Sequence, residues 1–182
     1  MRYNLSTFTT HLNQTRNKKE IIMNAKVAKK KNITVEITIP KQLPLGEIVK
    51  KTGRKIYWLG NDNNLAQTTG EGGKIKVTFF YLGEARISDS RLAEEYKKRG
   101  LKPDFFAQLM VNIRRKKFAD KYPNITHWKG EDGWYRSAYF GLRINGERFL
   151  KVDTSNPFRG MVVNLNVGEY NGKEVWFAGV KA

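Results

Sequence analysis

The strongest constraint in this sequence is the pair Asn145-Gly146, set between two stretches rich in aromatic and β-branched residues, 134–144 and 147–153. Asn-Gly readily supplies the positive φ angles of a two-residue type I′ turn, so the flanking stretches are expected to pair antiparallel as a hairpin. Alternation along the first strand puts Trp134, Arg136, Ala138, Phe140, Leu142 and Ile144 on one face. Tyr135, Ser137, Tyr139, Gly141 and Arg143 fall on the other. Neither face is polar throughout. A hairpin of this kind either lies in a sheet covered on both sides or offers its aromatics and arginines to a ligand.

The rest of the chain supplies partners for it. Ile33, Val35, Ile37 and Ile39 alternate with Thr34, Glu36 and Thr38, a half-buried strand ended by Pro40. Residues 55–59 and 74–82 read as further strands, 47–51 as a brief strand or turn, and 65–68 as a short return strand. The middle is helical. Ser88 or Asp89 caps a helix reaching Arg99, with Gly100 as its stop. A second helix runs from Pro103-Asp104 to about Lys121, with Phe106, Leu109, Met110 and Ile113 as its buried stripe. Residues 161–167 and 173–180 return to strand around a second turn, Asn171-Gly172, and the last strand closes the sheet. Strands, a helical pair, then strands predict an α+β protein with a predominantly antiparallel sheet, a central helical pair and a basic N-terminal appendage. Residues 1–31 form the basic arm or helical appendage, and 32–182 a single α+β domain.

Charge bounds the function. The chain has 34 basic and 17 acidic side chains, a net charge of +17. More than half of the excess falls in the first sixty residues. Such a surface attracts polyanions. No apolar run is long enough for a transmembrane helix, no N-terminal stretch resembles a signal peptide, and there are no cysteines. The expectation is a cytoplasmic protein without disulfides and without a membrane partner.

The phosphate-contacting candidates are Lys29, Lys30, Lys31, Arg114, Arg115, Lys116 and Lys117, because a folded core has no use for such clusters. Trp128, Trp134, Tyr135, Tyr139 and Arg143 are the candidates for stacking on bases. No zinc finger, KH loop, helix-turn-helix or RNA-recognition consensus appears, so recognition is expected to rest on shape or single-strandedness.

No catalytic residue, cofactor or metal ligand is assigned. A Gly-rich stretch at 69–73 lacks the lysine and the serine or threonine of a phosphate-binding loop. Glu84, Asp89 and His127 are the set to watch for a metal-dependent nuclease, one alternative to a plain binder. A small, basic, cysteine-free chain without a catalytic motif is also similar in type to proteins of phages and mobile elements that inhibit host defence nucleases. That likeness implies another alternative, an interaction protein whose partner is a nucleic-acid-handling complex such as a CRISPR effector.

Overall fold

The computed structural model of the protein describes residues 31–59, 71–84, 86–130, 132–156, 162–164 and 174–182. The basic arm before Lys31, the return strand at 65–68 and the Asn171-Gly172 turn lie outside the described residues.

The expected hairpin is present, with a different turn. Gly146 has φ 82°, and Asn145 does not share the positive φ that type I′ requires. Gly146 N donates to Arg143 O, Arg143 N donates to Glu147 O (both 2.9 Å), and Asn145 Oδ1 accepts from Glu147 N at 3.0 Å. This is the three-residue loop in which a single left-handed glycine closes a type I turn. The asparagine side chain takes over a backbone bond there, so Asn145 needs no left-handed conformation of its own.

The strands are β1 (Ile33–Ile39), β2 (Lys55–Leu59), β3 (Gly73–Phe80), β4 (Arg86–Ser88), β5 (Leu101–Lys102), β6 (Asn124–Lys129), β7 (Tyr135–Leu142), β8 (Arg148–Asn156), β9 (Val162–Asn164) and β10 (Trp176–Lys181). The helices are α1 (Leu45–Lys51), α2 (Asp89–Lys98), α3 (Phe105–Arg114) and α4 (Phe118–Lys121). The main sheet runs β1-β3-β10-β6-β7-β8-β2, with β5 also paired to β10, and β4 and β9 form a separate pair. Among the described residues all pairs are antiparallel except β10 with β6 and β2 with β8. The protein is therefore α+β with a mixed sheet.

The last strand does not close the sheet at an edge. β10 lies between β3 and β6 rather than at an edge. Its residues explain this. Trp176, Ala178 and Val180 are buried on one face and Phe177 on the other, as suits a strand in the middle of a sheet covered on both sides. On the first face Val77, Phe79, Ala138, Phe140, Leu150 and Val152 join them under α1, α3 and α4. On the second, Phe80, Ile125, Tyr139 and Phe149 pack with Phe177 against Leu92 and Tyr96 of α2.

Three local expectations change. Residues 45–51 are helix, not strand or turn: Leu45, Ile48 and Val49 share the buried side, and Glu47 early with Lys50 and Lys51 late suits the helix dipole. The stretch around His127, to which the sequence assigned no element, is strand β6. The second helix breaks at Arg115, whose φ of −120° and ψ of 71° leave the helical region, and resumes at Phe118. Four consecutive bases would wrap a continuous helix and drive one into the core. The break lets Arg114, Arg115, Lys116 and Lys117 all face outward.

The buried stripe of α3 is also rotated. Ala107, Gln108, Met110, Val111 and Asn112 are buried with Leu109, while Phe106 and Ile113 are only half-buried. Gln108 Nε2 donates to Asn124 O, Asn124 Oδ1 and Ala138 O at 2.9–3.1 Å. Asn112 Nδ2 donates to Asn124 Oδ1 at 3.0 Å. The amides are tolerated in the core because this network gives their donors partners. The first expected helix behaves as read: Ser88 Oγ accepts from Arg91 N at 3.3 Å, and Gly100 follows with φ 61°.

Candidate nucleic-acid interface

The cationic turn between α3 and α4 is built from behind. Gly53, with φ 61°, turns the chain out of α1 and delivers Arg54 into the core, where its side chain is 1% exposed. Arg54 Nη1 donates to Gly141 O and Nη2 donates to Lys116 O, both at 3.0 Å. The guanidinium lies 5.7 Å from the centre of the Phe140 ring, and Asp120 Oδ1 stands 3.6 Å from Nη2. Burial pulls the arginine's pKa down, and Asp120 opposes the shift. Arg148 holds the other side of Asp120 through a two-pronged contact, with Nη2 to Oδ2 at 2.7 Å and Nε to Oδ1 at 3.1 Å.

On the outer side of this anchor, Arg114, Arg115, Lys116, Lys117 and Lys121 are all exposed. None of the five forms an ion pair among the described residues. They line a shallow cavity of about 480 Å³ with Ile113, Phe118 and Tyr122, and Lys121 Nζ lies 5.1 Å from the centre of the Tyr122 ring. Backbone bonds Arg115 N to Val111 O (2.8 Å) and Phe118 N to Arg115 O (2.7 Å) fix the path of the turn. The result is five positive charges on a backbone held by a buried arginine.

The other candidates are scattered. Lys29 and Lys30 lie outside the described residues, and Lys31 is exposed. Tyr139 does not stack on a ligand as expected: it is buried, with its ring 5.5 Å from Phe149. Trp128 is half-buried and lies flat on Phe105 at 5.4 Å, so one of its faces is taken by the core. Arg143 covers the rings of Tyr57 (4.5 Å) and Phe149 (5.5 Å) and pairs with Glu147. Trp134 is 46% exposed, the freest of the five. Tyr135 is half-buried and stacks on His127, 5.2 Å away and 1° from parallel.

His127 belongs to a second polar cluster. Its Nε2 lies 2.7 Å from Oδ1 of Asp89, the first residue of α2, and both side chains are buried. The sequence placed these two residues together as part of a nuclease set. Glu84, the third member, is exposed, and among the described residues no three metal-binding side chains converge.

No family model, curated protein or solved structure matches this chain.

The His127 site makes a prediction about pH. Burial lowers the imidazole below the ordinary histidine range; the Asp89 bond and charge, the Arg136 carbonyl and Asp153 oppose this without cancelling it. The unfolded chain then takes up the proton at higher pH than the folded one. His127 contributes stability that is complete above about pH 6.5 and is lost as the pH falls through the lower folded value. Urea unfolding between about pH 7.5 and about pH 5.5 is expected to show stability declining with acidification, and His127→Gln should flatten that decline. An equal decline in both proteins would assign it to other groups.

Proposed function

We propose that this protein binds nucleic acid through its phosphates, with the Arg114–Lys117 turn and Lys121 as the principal contacts. The observation that carries the reading is the anchored turn: five exposed cations, none ion-paired among the described residues, on a backbone pinned by Arg54. Exposed lysines scattered over a surface are commonplace. Four consecutive bases lifted clear of the core by a break in the helix, at the expense of helical hydrogen bonds, form a concentrated patch. Patches of this kind read the backbone rather than the base sequence. The aromatic candidates do not gather around it, so base recognition is no part of this reading, and the preference is for shape or for single strands. The role is one of binding, not catalysis.

Affinity should fall steeply with salt. Four phosphates neutralised on duplex DNA give a log–log slope of about −3.6, or about 100-fold between 50 and 200 mM salt. If the arm before Lys31 adds two contacts, the loss approaches about 10³-fold. Fluorescence anisotropy with single- and double-stranded DNA and RNA of equal length, over a salt series, measures this. Affinity indifferent to salt, or no binding at low salt, would refute the reading.

A further inference from the structure

A second cavity, of about 440 Å³, opens beside the His127–Asp89 pair between α2, β5 and the outer ends of β6 and β7. Its volume is in the range of small-ligand sites. Three kinds of group meet in it. His127 and Asp89 form part of its buried lining. Tyr135 and Trp128 supply aromatic wall. Lys97, Lys102 and Lys129, all exposed, also line it.

The three lysines have no ion-pair partner among the described residues, although acids stand close to them in sequence. Most of those acids are committed elsewhere, and the exposed Glu94, one turn before Lys97 on α2, pairs with none of the three lysines among the described residues. Glu95 takes Arg91, Lys98 and Arg99 and leaves Lys97 aside. Asp104 accepts from Ala107 N at 2.8 Å, capping α3. Asp132 is held by Arg136, with Nη2 to Oδ2 at 2.6 Å. Asp89 inside the cavity is bonded to His127. The cavity thus joins three lysines without an ion-pair partner among the described residues to a flat aromatic wall. That combination suits a ligand with an anionic head and a planar body. The wall is also fixed: Tyr135 is stacked on His127, His127 is tied to Asp89, and Ala182 N donates to Gly100 O at 3.0 Å across the cavity's lining.

We propose that this cavity binds a nucleoside phosphate, its phosphate on Lys97, Lys102 and Lys129 and its base against Tyr135. The ligand is either a free nucleotide or the phosphorylated end of a strand. The site shares no residue with the basic turn and stands or falls independently of it.

The test is NMR titration of the full chain with adenosine monophosphate, adenosine and inorganic phosphate, following the His127 imidazole and the Trp128 indole. The chain has two histidines, so a His11→Gln variant assigns the His127 signals. Adenosine monophosphate is expected to shift both residues saturably at millimolar concentration or below, and more tightly than adenosine or phosphate. Replacing all three lysines by glutamine should weaken it by about tenfold or more, as loss of charged hydrogen bonds does. Charge reversal of Arg114–Lys117 should leave it unchanged, which separates failure of this site from failure of the phosphate-binding turn. A short oligonucleotide with a 5′-phosphate and one without distinguish the sources. If only the phosphorylated strand reproduces the shifts, the ligand is a strand end; if neither strand does while the mononucleotide does, it is a free nucleotide. No shift at millimolar mononucleotide, or a shift that the triple glutamine variant leaves intact, overturns the proposal. Tyr135→Ala offers a second reading: it should weaken adenosine monophosphate and leave inorganic phosphate unaffected.

Discussion

Replacing Arg114, Arg115, Lys116 and Lys117 together by glutamate is expected to reduce nucleic-acid affinity by roughly 10³-fold at about 150 mM salt. The figure follows from counterion release, in which each lost phosphate contact takes about 0.9 from the log–log salt slope on duplex DNA. The slope itself should therefore become shallower by about 4, and this second observable makes the experiment decisive. A loss of affinity with an unchanged slope would mean that the variant is damaged rather than discharged. Damage is not expected. All four side chains are exposed, and although Arg115 ends α3 and Lys117 precedes α4, Lys117 makes no side-chain cap bond, so each substitution should cost no more than about 0.5–1 kcal/mol. Thermal unfolding of the variant should thus stay close to that of the parent. Because the effect is electrostatic, single strands should weaken as well, by a smaller factor of about 10²-fold, since each contact on a single strand contributes about 0.7 rather than about 0.9 to the slope. If affinity and slope both survive the reversal, the turn is not the interface, and the cations of residues 1–31 become the leading candidates.

That experiment targets residues legible in the sequence. Their arrangement was not. The Arg-Arg-Lys-Lys run announces itself as charge, but a periodicity reading carries a helix straight through it, because Phe118 returns at a helical spacing from the apolar stripe of α3. What holds the broken segment is a long-range contact: Arg54, sixty-two residues away, donates to the Lys116 carbonyl. An arginine at the start of a strand carries no local mark of that role. The same holds for the sheet. The strands themselves follow from alternation, and the β7–β8 hairpin from Asn145-Gly146. The order of strands does not. Insertion of β10 between β3 and β6 depends on both of its faces being apolar, a pattern visible in Trp176 through Val180 but equally compatible with a covered edge. The stacking candidates suffered from the opposite problem. Aromatic residues on a two-sided sheet look alike in sequence whether they line a ligand or the core, and Tyr139 proves to belong to the core. His127 and Asp89 were each noticed, though their pairing became specific only when β6 placed the histidine over the start of α2.

Arg54→Ala should have the largest effect on the fold, and through the fold on binding. Removing one partner of a buried ion pair commonly costs about 3–5 kcal/mol, because the remaining charge is left uncompensated. Here Asp120 keeps Arg148, bound through both carboxylate oxygens, so that penalty is reduced. Two carbonyls, Gly141 O and Lys116 O, lose their arginine donor, at about 1–3 kcal/mol for each that finds no other partner. The space left by the guanidinium beside Phe140 adds to this. A total of about 3 kcal/mol is expected, measurable as a lower urea midpoint with an unchanged m-value. The consequence for binding is separate and more informative. Lys116 and its neighbours keep their charge, so the variant still attracts polyanions and keeps its salt slope. With the backbone bond lost, however, the turn must be ordered on binding, and affinity should fall by about tenfold while the folded fraction remains high. Arg54→Lys discriminates further. It restores a buried positive charge near Asp120, but a single ammonium cannot reproduce the planar fork that reaches Gly141 O and Lys116 O in two directions. Binding by Arg54→Lys should therefore resemble that of Arg54→Ala more than that of the parent. If the lysine variant binds as the parent does, charge rather than the anchored backbone prepares the turn. If Arg54→Ala binds as tightly as the parent at a temperature where both are folded, the anchor serves stability alone.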